Sequence, residues 1–264
     1  YSTYFDGTGD YISATPAAIG TAEFGIEGWF YTSDVSVGKY IVSLGFNSNN
    51  SLFFAVQSGK VEFTVQDNAG AFPLNNVNIG TPIANTWNYF YVGRGVTTSG
   101  TATWYYGLNG TVSSQVAASP TFPSRNFELG YAATRALAGS YFLGYISNVR
   151  LTVGSTPYTA SFTPSTTPLT AVTNTQLLLC QSSTLRDNST NASVVTSFGD
   201  ARPVAHSPFT QTTNSVALAT VGSTYFDGTG DYLTTGIPAI GTSDFTVEYY
   251  SYLTAHSGLN GENA

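Results

Sequence analysis

The stretch Ser2-Thr3-Tyr4-Phe5-Asp6-Gly7-Thr8-Gly9-Asp10-Tyr11 decides how the chain is read, because it returns letter for letter at Ser223 to Tyr232. The match continues without a gap. Ala18-Ile19-Gly20-Thr21 corresponds to Ala239-Ile240-Gly241-Thr242, and Phe24 and Glu27 to Phe245 and Glu248, at a constant offset of 221 residues. That offset is far longer than the roughly 20–50 residues of a solenoid repeat, so a whole module is duplicated. The expected organisation is a module at 1–205, a linker at 206–222 and a truncated second copy of the module's first strands at 223–264. Within the stretch, Asp6-Gly7-Thr8-Gly9 is turn chemistry between two short apolar-alternating runs, which predicts an opening hairpin.

Further strands follow outward from it. Phe24 to Thr32 alternates, with Phe24, Ile26, Gly28 and Phe30 on one face and Glu27, Trp29 and Tyr31 on the other, which predicts an internal strand. Lys39 to Phe46, Ser51 to Gln57 and Lys60 to Gln66 read as a meander, with Ser58-Gly59 as a two-residue turn. After a loop from Asp67 to Thr86 come the aromatic strands Trp87 to Arg94 and Thr101 to Leu108. Asn109-Gly110 then turns the chain into Thr111 to Ala117, because a type I′ turn needs positive φ at both central residues. Tyr141 to Val153 and the apolar Gln176 to Gln181 complete the strands; Ser155 to Thr173, rich in Pro, Ser and Thr, predicts an extended surface crossing. About a dozen short strands without helical periodicity specify an all-β fold, an antiparallel β-sandwich.

Composition agrees and narrows function. Charged residues make up only 9% of the chain, against roughly 25% in ordinary soluble domains, so Ser, Thr, Asn and Gly carry the polar surface. With a net charge of −7 and eight scattered Lys and Arg, no nucleic-acid partner is expected. No apolar run is long enough to insert in a membrane. Met is absent, position 1 included, as expected of a processed chain or a piece of a longer polypeptide. The single Cys180, inside Leu177-Leu178-Leu179-Cys180, reads as a buried inert thiol.

Four motifs carry a resemblance: Tyr4-Phe5-Asp6-Gly7-Thr8-Gly9-Asp10-Tyr11, Phe24-Gly25-Ile26-Glu27-Gly28-Trp29-Phe30, Trp87-Asn88-Tyr89-Phe90-Tyr91-Val92 and Tyr106-Gly107-Leu108-Asn109-Gly110. In order and spacing they resemble the successive strands of laminin-G-like, concanavalin-A-like jelly-roll domains. This implies two curved antiparallel sheets with first and last strands close together, so that Gln176 to Gln181 would close the sheet beside the opening hairpin. A second group, running from Gly144-Tyr145-Ile146-Ser147-Asn148-Val149-Arg150 through Phe162-Thr163-Pro164 to Asp187-Asn188-Ser189-Thr190-Asn191-Ala192, is similar to such domains in structural proteins of tailed bacteriophages, especially cyanophages. The implied role is a non-enzymatic virion component, a tail fibre or exterior decoration, located on the virion outside the cell. Its implied partners are other virion proteins, copies of itself and a host cell-surface glycan.

Some relatives of the fold are glycosidases with Glu-x-Asp-x-Glu on one strand, and Glu23-Phe24-Gly25-Ile26-Glu27 has that outline. The middle acid is Gly25, so nothing orients the outer carboxylates or separates their pKa values, and no catalytic residue is expected. Glu27 is expected to accept hydrogen bonds inside the sandwich, and Glu23 to be a solvated loop residue. No cofactor is expected apart from a candidate calcium ion, for which Asp6, Asp10, Asp34 and Asp67 are the available carboxylates. Glycan binding needs amides and stacking rings on an exposed surface. The candidate residues are Asn47, Asn49 and Asn50 in one loop and Asn75, Asn76 and Asn78 in another. The truncated copy is expected either to begin a further domain or to pair with a neighbouring subunit.

Overall fold

The structure is a computed structural model that describes residues 1–36, 38–45, 49–132 and 140–209, together with Tyr232 and Thr246. The second copy, apart from those two positions, lies outside the described residues, as does Asn47.

Period-2 alternation places Phe24, Ile26 and Phe30 of β3 (Phe24–Tyr31) in the core, and Glu27, Trp29 and Tyr31 on the opposite face. β3 is internal as predicted, between β8 (Trp87–Arg94) and β12 (Leu143–Val153). The sheet extends through β9 (Thr101–Leu108) to β10 (Thr111–Ala118) on one side. On the other it extends through β1 (Ser2–Asp6) to β15 (Arg202–Val204), with β13 (Thr175–Leu179) also on β12. The opposing sheet runs β14 (Val195–Phe198), β2 (Tyr11–Ala14), β11 (Phe127–Leu129), β4 (Lys39–Leu44), β5 (Ser51–Gln57), β6 (Lys60–Gln66) and β7 (Leu74–Gly80). Every pairing is antiparallel, and the described residues contain no helix. Between the sheets lie Phe5, Phe30, Phe54, Phe63, Phe90 and Trp104, each fully buried. Both dipeptide turns are as expected: Ser58 and Gly59 have φ of 52° and 74°, Asn109 and Gly110 52° and 85°.

Three expectations are corrected. β1 and β2 do not form a hairpin. β1 pairs with β12 and β15 in one sheet, β2 with β11 and β14 in the other, and the chain between them turns the sandwich corner. The same Asp and Gly chemistry serves either geometry. What selects the corner is burial, since Phe5 and Ile12 both fill the core and must reach it from opposite sides. Gln176 to Gln181 does not pair beside that stretch either. β13 bonds Val149 to Thr152 of β12 while β1 bonds Leu143 to Ile146, so the two lie in line along one strand, separated by Asn148 in the left-handed region at φ 51°. Finally, β7 lies inside what reads as the loop from Asp67 to Thr86.

The C-terminal corner mirrors the N-terminal one. β14 lies in the second sheet beside β2, with Phe198 opposite Tyr11, and β15 lies in the first beside β1, with Arg202 opposite Tyr4 and Val204 opposite Ser2. The two ends of the module therefore fold around the sandwich edge together. Beyond position 205, where the linker is expected, His206 and Phe209 still pack on the first sheet. The segment from Ser155 to Thr173 has no strand and crosses the outer face of that sheet, as predicted.

Candidate functional site

The outer face of the first sheet is sealed by that crossing. Tyr158 and Phe162 stack on each other at 3.6 Å and close over Tyr91 and Tyr89, while Phe209 packs edge-on against Trp29. Beneath them is Glu27. Its carboxylate accepts from Arg150 Nε at 2.9 Å and Nη2 at 2.6 Å, from the hydroxyl of Tyr89 and from that of Tyr158 at 3.4 Å. Burial pushes the hydroxyls of Tyr89 and Tyr91 above their ordinary range, and the negative charge of Glu27 pushes the same way. The hydrogen-bonding role expected of Glu27 is present, on the outer face of a sheet and not between the sheets. Glu23 sits in the loop before β3, half-buried. The Glu27 carboxylate is held by a guanidinium, covered by aromatic rings and buried. Cys180 is buried, its thiol pushed up to about 12 by loss of solvent. His206 lies among Tyr31, Trp87 and Tyr145 at ring distances of 5.0, 5.0 and 4.4 Å, its pKa lowered by burial and by the nearby N-terminal amine.

The candidate calcium ligands divide. Asp34 accepts from the amide and hydroxyl of Ser36, and Asp67 from the amides of Ala69 and Ala71, so each caps its own turn. Asp6 and Asp10 come together at the corner and are joined by Asp200, with ligand oxygens all within 4.8 Å. Asp10 is fully buried and accepts the amides of Asp6 at 2.9 Å and Asp200 at 2.8 Å. Burial raises its pKa, opposed by those two backbone bonds. Gly199 is required beside it: its φ is +68°, and a Cβ there would stand 2.2 Å from Asp10 Oδ1. Asp200 also pairs with Arg202 at 3.1 Å. Three carboxylates suit a hard cation in kind, yet backbone amides already engage both oxygens of Asp10. The corner's geometry is accounted for as a clasp between the module's two ends. Asp200 has no sequence signature, since nothing in Phe198-Gly199-Asp200 shows that it returns to residue 10.

The Asn candidates also divide. Asn49 and Asn50 reach Asn68, donating to its carbonyl at 2.6 Å and its side-chain oxygen at 3.4 Å, next to the turn of Asp67. Asn75, Asn76 and Asn78 are exposed on the edge strand β7. There Asn76 exchanges hydrogen bonds with Thr64, and Asn78 caps the amide of Gly80. Phe72 is exposed in the intervening loop, but the pocket formed by Asp67 to Ala69 and Ala118 to Thr121 has no aromatic ring among its described lining residues.

Sequence reasoning misses a further cleft, because two chain ends make it. On the outer face of the second sheet, at β2 and β14, Ser13, Ala14, Thr15, Asn126, Ser193, Val194, Thr196 and Phe198 line a volume of about 490 Å³. Phe198 is 38% exposed and stacks on Tyr11 at 4.1 Å with the rings 5° from parallel. Tyr131 continues the row at 5.8 Å, and Tyr141 stacks on Tyr131 at 3.9 Å. Desolvation raises the Tyr11 hydroxyl, and so does the charge of Glu128, which lies opposite Ser13 in the ladder. Thr15 Oγ1 donates to Asn126 Oδ1 at 3.0 Å, which anchors that amide by its oxygen.

A profile of the concanavalin A-like lectin/glucanases superfamily, laminin-G type, matches residues 6–155, more than half of the chain. The chain belongs to that family. No curated protein matches it significantly in sequence. Among solved structures it is similar to a putative carbohydrate-binding protein from Bacteroides ovatus, at 10% identity over 78% of this chain and 61% of that one, with a TM-score of 0.45. The IT-sialidase CBM40 of Ruminococcus gnavus, bound to α2,3-sialyllactose, aligns at 11% identity over 55% of this chain and 89% of that one, TM-score 0.42. The enzymatically active domain of tailspike protein 2 from bacteriophage CBA120 aligns at 10% identity over 55% of this chain but 24% of its own, TM-score 0.40. At such identities and scores these likenesses bear on neither ligand nor partner.

Proposed function

We propose that the chain is a non-enzymatic, lectin-like module that binds a glycan of the host surface, and that it works as an adhesive part of a phage virion, in a tail fibre or an exterior decoration. The observation that carries the binding role is the cleft at β2 and β14: an exposed ring, backed by a second ring, beside hydroxyl and amide groups on an open sheet face. Sugars are recognised by such a combination, since their C–H faces lie on aromatic rings while their hydroxyls bond polar side chains. The non-enzymatic part rests on Glu27, whose carboxylate is neutralised by Arg150. The virion setting is supported by the resemblance of the strand motifs to phage domains and by the repeat of the module's opening.

The test is binding of the whole chain to a panel of bacterial surface polysaccharides, with calcium and again with chelator. Saturable binding to one class, lost in Phe198→Ala, is the expected result. Loss under chelation would show that binding needs a divalent ion. A folded chain that binds no polysaccharide would leave a purely structural role in the particle as the better account.

A further inference from the structure

The cleft's lining is specific about charge. None of its described lining residues is Lys, Arg or His, and their polar groups are the hydroxyls of Ser13, Thr15, Ser193 and Thr196 and the amide of Asn126. Recognition of a carboxylate, sulfate or phosphate uses a guanidinium fork, an ammonium or the amides of a helix N-terminus. None of these is found among the described residues that line this cleft. The chain as a whole carries −7, which disfavours an acidic ligand at long range. Arg125 is adjacent to Asn126 in sequence but packs across Gly45 and is not among the residues that line the cleft, and Arg202 is paired with Asp200 and lies over the ring of Tyr4 on the other sheet.

What the cleft does offer matches an uncharged polyol. Hydroxyls of Ser and Thr both donate and accept, as sugar hydroxyls do. The Asn126 side chain, held at its oxygen by Thr15, has an NH2 donor with no protein partner among the described residues. The ring of Phe198, held flat by Tyr11, supplies a platform for a pyranose face. The volume of about 490 Å³ falls within the range of small-ligand sites, roughly 300–1,000 Å³.

We infer that the cleft at β2 and β14 takes a neutral saccharide and discriminates against acidic ones, with Phe198 as the stacking platform and Ser13, Asn126 and Thr196 as the polar contacts. This inference rests on the glycan-binding reading above and specifies its substrate class and site. Its test is calorimetric titration of the whole chain with neutral oligosaccharides of hexoses and N-acetylhexosamines, and with size-matched uronate, sialylated and sulfated counterparts. Neutral ligands are expected to bind at least ~10-fold more tightly than acidic ones, a gap of about 1.4 kcal/mol. Thr196→Lys, an exposed substitution that places a cation in the cleft, is expected to narrow or reverse that preference, and Phe198→Ala to abolish binding of both classes. Preference of the native chain for acidic ligands would overturn the inference while leaving glycan binding intact. Binding untouched by either variant would place the site elsewhere and overturn it likewise. Failure of a folded chain to bind any ligand of either class would overturn the glycan-binding reading itself.

Discussion

The two outer faces of the sandwich carry similar residues and meet opposite fates. On the first sheet Trp29, Tyr89 and Tyr91 are covered by the crossing segment and by Phe209, so that a second apolar layer forms outside the sheet. On the second sheet Tyr11 and Phe198 stack just as closely, but nothing among the described residues covers Phe198. An aromatic-rich strand is therefore ambiguous in itself. Whether its rings stabilise the domain or bind a ligand depends on whether another stretch of chain, far away in sequence, lies across them.

The sharpest way to break the contrast is Trp29→Ala, which should cost about 3–5 kcal/mol in chemical denaturation, because a large side chain leaves a cavity under a fixed cover. An unmoved midpoint would mean that the first face is open after all. Arg150→Met should approach the same cost, about 3 kcal/mol, since it strands the buried Glu27 carboxylate. Restoring most of that loss with Glu27→Gln in the same chain would separate charge burial from packing. Next in size is alkaline pH. Burial raises Tyr89 and Tyr91, so the native chain keeps protons that the unfolded chain releases above about pH 10. Stability is full below that pH and falls above it, by up to about 1.4 kcal/mol per pH unit for each tyrosine. Denaturation midpoints at pH 9 and 11 check it, and a flat profile would contradict the sealed face. Asp10→Asn, which weakens the acceptor for two backbone amides, should cost about 1–2 kcal/mol and weaken binding at the cleft, because β14 forms one wall of it. Phe198→Ala should change stability least, by about 0.5 kcal/mol, while removing glycan binding. A large loss of stability there would make the second face as structural as the first.

The fold was largely legible because its information is local. Asn109-Gly110 and Ser58-Gly59 fix two hairpins by their own φ angles, and alternation in Phe24 to Tyr31 names the buried face. What escaped was non-local or weakly coded. Asp6-Gly7-Thr8-Gly9 announces a turn without saying whether it joins strands of one sheet or of two. β7, with exposed Asn at three positions, reads as a loop because its edge position asks little of it, and β14 and β15 are too short and polar to show alternation. Of the candidate site, Asp6 and Asp10 were legible only as two of four available carboxylates, with nothing to set them apart from Asp34 and Asp67, and Asp200 was not legible at all. The cleft could not be read because Ser13 and Thr196 are made neighbours only by the closure of two corners.

That closure has a mechanical side. Ser2 lies opposite Val204, and the strands run antiparallel, so the chain enters and leaves the module at the same place. Tension between Tyr1 and Phe209 does not shear this ladder. It first peels Phe209 from Trp29 and His206 from its ring neighbours, then opens β15 from β1 one rung at a time, and next reaches Asp200 and β14. The wall holding Phe198 is thus among the first parts that such a load reaches.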